Sequence, residues 1–232
     1  MGTKMKKIEL DSGERIDDLQ FENLQIVQNK NLYCFSSDAV LLCNFVKARP
    51  KDTIVDLCSG SGVVGILAQA KTKAKYLIMV EKQTELFEMC QKSILLNNLQ
   101  KKAKVFNLDI ADAPQVLGHG IADVVCSNPP YFLPSQKKMT GNPKIDIAKF
   151  EIALTFDSLC LSASKLLKYG GKFFFVSDST RIVQLLSTAQ KYLLEPKTIE
   201  FVFPKQSKHS NVVLVECTKN GKSGAKVFCK HI

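Results

Sequence analysis

A chain of 232 residues, 45% of them hydrophobic, is long enough for one domain with a sizeable core and too apolar to be disordered throughout. No apolar run approaches the ~20 residues that span a bilayer, and residues 1–7 carry charge without an apolar stretch, so neither membrane anchor nor signal peptide is expected and a cytoplasmic location is. Lys plus Arg total 32 against 22 Asp plus Glu, and the resulting +10 favours anionic partners while saying nothing about fold.

The eight cysteines, Cys34, Cys43, Cys58, Cys90, Cys126, Cys160, Cys217 and Cys229, never fall at C-x-x-C spacing. That argues against a zinc knuckle, so no metal is expected. Most sit in apolar stretches, where a reduced cysteine acts as a small hydrophobe in a reducing compartment.

In chain order, residues 7–10 and 15–19 flank Asp11-Ser12-Gly13-Glu14, and residues 24–28 and 32–35 flank Asn29-Lys30-Asn31; each pattern predicts a β-hairpin. Together they make residues 1–35 an N-terminal hairpin extension. Ser36, Ser37 and Asp38 are N-cap candidates for an apolar helix over 39–46. Residues 36–232 form the main domain, in which strands at 53–57, 76–80, 104–107 and 121–127 alternate with helices at 63–70 and 84–97. A helix over 151–167 is stopped by Tyr169-Gly170-Gly171, followed by a strand at 172–177 and a helix at 179–191. Strands at 199–203 and 212–217 have no helix between them and must pair antiparallel. The pattern predicts an α/β, doubly wound, mostly parallel seven-stranded sheet with an antiparallel terminal hairpin. A methyltransferase-type Rossmann sheet ends this way, whereas a dehydrogenase-type sheet continues parallel.

The stretch from Ile54 through Asp56-Leu57-Cys58-Ser59-Gly60-Ser61-Gly62 to Gly65 reads as strand, tight turn and helix, and contains the formal G-x-G-x-x-G fingerprint. Several cofactors use that turn. Asp56 ends the first strand beside it, where a carboxylate would repel a pyrophosphate and attract the ammonium and sulfonium of S-adenosylmethionine. The competing role for Asp56 is a turn cap. Glu81 ends the next strand, where an acid grips ribose hydroxyls. Asp109 follows the third strand, positioned either to accept from an adenine amino group or to cap a short helix.

Asn128-Pro129-Pro130-Tyr131 follows the fourth strand. Two prolines cannot continue a parallel strand, so the chain leaves the sheet in a stiff loop with few donors. The Asn128 side-chain oxygen and the Pro129 carbonyl are two acceptors suited to a planar NH₂ group, whose lone pair then faces a methyl sulfonium. Tyr131, with Phe132, offers a stacking face to the ring carrying the amine.

This combination resembles the class I S-adenosylmethionine-dependent amino-methyltransferases with an NPPY motif, over nearly the whole chain, and within them the bacterial tRNA(Val) (adenine-37-N6)-methyltransferase family. The resemblance rests on Glu14-Arg15-Ile16-Asp17-Asp18-Leu19, Phe35-Ser36-Ser37-Asp38-Ala39-Val40-Leu41-Leu42, the glycine turn, the NPPY tetrapeptide and Asn211-Val212-Val213-Leu214-Val215-Glu216. It implies that Phe35, Ser36 and Asp38 form a lid over the cofactor, that Glu81 binds its ribose and that Asp109 with Ile110 binds its adenine. It further implies N6 methylation of a tRNA adenine. Two residues depart from the family pattern: Cys58 stands where many relatives have Gly, and Phe150 where His is expected.

Between the tetrapeptide and the next helix, Lys137, Lys138, Lys144 and Lys149 face a single acid, Asp146, and read as a substrate lid over RNA phosphates. From Lys205 onward, Lys205, Lys208, Lys219, Lys222, Lys226 and Lys230 accompany Glu216 alone. Four other readings compete: an rRNA substrate, methylation of a protein glutamine amide, an NAD-dependent oxidoreductase and a non-catalytic RNA-binding module. Asp56 and the terminal hairpin oppose the oxidoreductase. The basic charge and the hairpins of the first 35 residues oppose the glutamine enzymes, which carry a helical recognition domain there.

Overall fold

Two short strands, β1 (Glu14–Asp18) and β2 (Gln25–Asn29), pair antiparallel with Asp18 opposite Gln25. The turn joining them lies at residues 19–24, where Gln20, Glu22 and Asn23 take positive φ. This corrects both expected hairpins. Asp11 to Glu14 closes a local turn, Glu14 N–H donating to the Asp11 carbonyl at 3.0 Å, that leads into β1 and joins no second strand. The run at 24–28 folds back onto 14–18 because fully buried Ile26 and Val27 need cover, and residues 32–35 form no strand. The structure, a computed structural model, describes residues 8–131, 141, 143–149 and 154–232, with backbone alone at 147 and 149.

The chain continues through α1 (Ser37–Phe45), β3 (Thr53–Leu57), α2 (Val63–Thr72), β4 (Tyr76–Glu81), α3 (Thr84–Leu96), β5 (Ala103–Asn107), α4 (Ala113–Leu117) and β6 (Ala122–Ser127). After β6 come α5 (Pro143–Lys149), α6 (Phe156–Leu166), β7 (Leu167–Asp178), a 3₁₀ turn (Ser179–Arg181), α7 (Ile182–Lys191), β8 (Leu194–Phe203), β9 (Val212–Lys219) and β10 (Lys226–His231). The main sheet has the order β10-β8-β9-β7-β6-β3-β4-β5. Strands β3 to β7 are parallel, and β9 slots antiparallel between β7 and β8, as the missing crossover helix requires.

Pleat alternation sets up two cores. Ile54 of β3 points into one apolar cluster with Leu77, Val124 and Phe174 beneath α1 and α2, while Val55 and Leu57 join Val125, Phe173 and Phe175 beneath α6. The small hairpin docks on α3: Val27 N–H donates to Ser93 Oγ at 3.0 Å and Gln25 N–H to Asn97 Oδ1 at 2.9 Å, so side chains of the helix satisfy its edge.

Two further expectations change. The helix ahead of β7 begins at Phe156, where Thr155 Oγ1 accepts from Ser158 N–H at 3.2 Å; residues 150–153 lie outside the described set. The sheet has eight strands, the additional one being β10, which pairs parallel with β8. All its residues are exposed, so no buried alternation marks it in the sequence.

Candidate active site

The glycine turn is built by close packing. Gly62 takes φ +99° at the start of α2, and a Cβ there would lie 2.9 Å from Cys90 Sγ. A Cβ on Gly65 would stand 3.0 Å from Asp56 Oδ2. These contacts explain two of the three fingerprint glycines without any cofactor. Cys58 also holds a left-handed conformation, φ +61°, which is strained for a residue with a Cβ.

Asp56 requires a correction. The cofactor-facing carboxylate expected from the sequence is fully buried and does not line the cavity. Its Oδ2 accepts from Gly65 N–H at 2.8 Å, and Oδ1 lies 3.7 Å from the Cys126 thiol. Burial raises its pKa to about 7 against the opposing Gly65 hydrogen bond. A strand-end acid can point along the strand axis or under the following helix, and here it braces the helix.

The cavity lies between α1, the glycine turn and the loop after β6, and encloses about 740 Å³ of empty space including its mouth. Phe35, Gly60, Glu81, Asn128 and Pro130 all line it, so five of the expected site residues converge. Among the described residues that line it, Glu81 is the only carboxylate. Its two oxygens accept from Gly60 N–H and Gln83 N–H, each at 2.8 Å, and burial raises its pKa against those hydrogen bonds. Asp109 stands outside the lining, held by Ala111 N–H at 3.0 Å and by Lys82 at 2.8 Å. Burial opposes ionisation of Asp109, but those two partners carry its pKa below the usual carboxylate value. Ile110 is buried in the core cluster beneath α6, so neither residue of the expected adenine pair touches the cavity.

The NPPY loop is anchored on both sides. Before it, Ser127 Oγ donates to the Leu57 carbonyl at 2.7 Å; after it, Arg181, only 5% exposed, donates to the Tyr131 carbonyl at 2.7 Å. Pro129 is buried. The Tyr131 hydroxyl donates to Asp38 of α1, linking the lid to the tetrapeptide, and the Tyr131 pKa rises through burial and that carboxylate. Ser36 precedes α1 in an extended conformation without capping it.

Three residues that the sequence did not single out line or brace the cavity. Gln28 is fully buried, donates to Ser61 Oγ and accepts from Phe35 N–H at 3.1 Å, joining β2, the glycine turn and the lid. Tyr33 lines the cavity with Ser36 and Asn128 as side-chain hydrogen-bond neighbours, and burial raises its pKa. Arg181 is the third. A polar residue in a strand and an arginine at a helix start carry no sequence signal of burial; only their long-range partners reveal them.

On the substrate side, Lys144 of α5 pairs with Glu85 of α3. Its charge is therefore shared before any phosphate approaches. Lys149 ends α5, its side chain outside the description, and Lys137 and Lys138 lie outside the described residues. All eight cysteines are free, and five are buried. Among the described residues, no helix is long and apolar enough to cross a membrane.

Comparison with known proteins gives the same architecture. Among curated relatives, the tRNA1(Val) (adenine(37)-N6)-methyltransferase of Erwinia tasmaniensis is 25% identical over 170 residues, covering 73% of this chain and 68% of the relative. Its namesake from Phocaeicola vulgatus is 24% identical over 195 residues, covering 84% and 81%. Among solved structures, a predicted O-methyltransferase from Agrobacterium tumefaciens superposes with TM-score 0.65 at 20% identity, covering 84% of this chain and 86% of that one. A tRNA m1G37 methyltransferase from M. jannaschii gives 0.63 at 15% identity, covering 90% and 58%. The family model described as the methyltransferase small domain matches residues 23–192, and with the glycine turn, Glu81 and Asn128 on one cavity the chain belongs to that family.

Proposed function

We propose that this protein transfers a methyl group from S-adenosylmethionine to the exocyclic N6 amine of an adenine in tRNA, position 37 of a tRNA(Val)-like substrate. The observation that carries the reading is the meeting of Asn128 and Pro130 with Glu81 and Gly60 on one cavity wall. The names of the relatives support the choice of tRNA and of the N6 position, and the net charge of +10 suits a polyanion.

The cavity suits the donor. A carboxylate offers about four acceptor positions, and Glu81 keeps capacity for a ribose diol beyond its two hydrogen-bonded backbone N–H groups. Val63, Val64 and Leu86 supply apolar wall, and the Phe35 ring supplies a flat one. S-adenosylmethionine, when bound, supplies an electrophilic methyl group on sulfur. Asn128 accepts a hydrogen bond from the target amine through its side-chain oxygen and turns the nitrogen lone pair toward the methyl group. That acceptor strengthens its hold as the nitrogen gains positive charge, which is stabilisation specific to the transition state. Ser127 and Arg181 hold the loop so that little reorganisation is needed. Tyr131 covers the base by stacking once its hydroxyl leaves Asp38.

The test is methyl incorporation into total tRNA by the purified protein, with nucleoside mass spectrometry of the product. N6-methyladenosine at position 37 is the expected outcome. Label appearing in protein or at another nucleoside, with none in tRNA adenine, would overturn the reading.

A further inference from the structure

The last strands place a basic rim on the same sheet edge as the cavity. Strand β9 is antiparallel to β7, β8 is antiparallel to β9, and β10 is parallel to β8. Strands β8 and β10 therefore run in the direction of β6 and β7. Their carboxyl ends, Phe203 and His231, emerge on the edge from which Asn128 leaves β6. Four strand steps separate β10 from β6 in the sheet order, or about 19 Å at ~4.8 Å per step.

This topology divides the six C-terminal lysines. Lys205 and Lys208 follow β8 and Lys230 is the penultimate residue of β10, so these three stand on the cavity edge, all exposed, with His209 beside them. Lys219 ends β9 at the opposite edge and donates to the Leu167 carbonyl at 2.8 Å, and Lys222 and Lys226 precede or begin β10 there. Acids near the rim are few: Glu200 of β8 lies opposite Phe228, two residues before Lys230. From residue 201 to residue 232 the only one is Glu216, which is 5% exposed and bonded to Lys172 at 2.5 Å and Thr198 at 3.1 Å. Helix α7 and the 3₁₀ turn contain none, and Asp178 at the end of β7 caps Thr180 at 2.9 Å. Amid the lysines, the rings of Phe203 and His231 stack with centroids 5.2 Å apart at 23°.

We propose that this rim is a second RNA-contacting surface, holding the substrate's phosphate backbone about 19 Å from the reacting adenine. Exposed lysines around a flat aromatic pair, outnumbering the acids near them, are the composition that binds single-stranded or looped RNA: cations on phosphates, a ring face for a base. The distance corresponds to about five or six nucleotide steps at ~3.4 Å, so the rim meets the substrate beyond the modified loop position. The inference rests on the RNA reading given above and adds where the RNA runs.

The test compares two triple variants of the full chain by anisotropy of labelled total tRNA between about 50 and 200 mM salt. In Lys205→Ala/Lys208→Ala/Lys230→Ala, the slope of log K against log salt is expected to fall by about two to three units, with S-adenosylmethionine affinity unchanged. In Lys101→Ala/Lys222→Ala/Lys226→Ala, which removes the same charge from the opposite edge, where exposed Lys101 precedes the amino end of β5, the slope should match the parent. His231→Ala should weaken tRNA binding several-fold at fixed salt without altering the slope. Equal slopes in parent and rim variant, while the parent binds and methylates tRNA, would overturn the rim and leave the proposed reaction standing. A parent that binds no tRNA would overturn both, and one that binds but does not methylate would overturn the reaction while the slopes still decide the rim.

Discussion

Replacing Asn128 by alanine separates chemistry from binding. Asn128 lines the same cavity as the glycine turn, whereas Glu81 and the apolar lining are held independently of it. The loop that carries it is held through Ser127 and Arg181 at 2.7 Å each, so truncating one side chain should leave the backbone path intact. Loss of one preorganised acceptor in a water-poor site typically lowers rate by about 10²–10³, or ~2.7–4 kcal/mol of transition-state stabilisation. Cofactor affinity should change by no more than about tenfold, since an ordinary hydrogen-bond neighbour contributes only ~0.5–1.5 kcal/mol net. The assay is single-turnover methylation of tRNA at saturating cofactor, with calorimetry for cofactor binding. A single-turnover rate within a few-fold of the parent would refute the reasoning and reduce the tetrapeptide to a turn.

Other expectations follow from the same geometry. Glu81→Gln should weaken cofactor binding by about 1.5–3 kcal/mol, the scale of a charge-assisted hydrogen bond; unchanged affinity in a calorimetric titration would remove Glu81 from the site. Arg181→Met should lower kcat by tenfold or more with little change in cofactor affinity, because the Tyr131 carbonyl loses its buried donor, and Arg181→Lys should recover part of it; a loss shared equally by cofactor affinity would point to general unfolding instead. Asp56 titrates at about 7 when folded against ~3.9 unfolded, so its contribution to stability is complete below about pH 4 and is lost as pH rises toward 7; Asp56→Asn should flatten that slope in denaturant titrations run across this window. Cys58→Gly should raise Tm by a few degrees, since relief of the left-handed strain, ~1–2 kcal/mol, exceeds the ~0.5–1 kcal/mol entropy cost of glycine; a lower Tm would mean that packing of the thiol outweighs the strain.

What the sequence made legible was local in origin. The glycine turn, Glu81 and the NPPY loop sit at strand ends, and alternating β and α elements dictate which strand ends share an edge. Parallel topology alone therefore brought Gly60, Glu81 and Asn128 to one cavity. The terminal β8–β9 pairing was legible for the same kind of reason, since the short segment 204–211, without a helix, cannot make a parallel crossover. Features decided by side-chain direction or distant partners were not legible. Asp56 and Glu81 both end strands beside the same turn, yet one carboxylate lies under α2 and the other faces the cavity. The N-terminal turn was misplaced because Gly13 advertises a turn, whereas the observed one uses Gln20, Glu22 and Asn23 at positive φ, none of them a turn signal as strong as glycine.

The misplaced hairpin and the missed residues have a common physical cause, which bears on how the site works. With Ile26 and Val27 buried, β2 is fixed on α3, and this brings Gln28 under the glycine turn. From there one amide bonds Ser61 and the Phe35 backbone, so the segment entering α1 is tied to the glycine turn. At the other end of the lid Asp38 takes the Tyr131 hydroxyl, and Arg181 takes the Tyr131 carbonyl. The cavity is thus ringed by a continuous set of hydrogen bonds from β2 through α1 to the NPPY loop and the start of α7. Each bond is modest, ~1 kcal/mol net, but leaving a buried partner unmet costs ~1–3 kcal/mol. Gln28 and Arg181 hold the two ends of this set, so the Tyr131 backbone is fixed by a bond separate from its hydroxyl contact with Asp38.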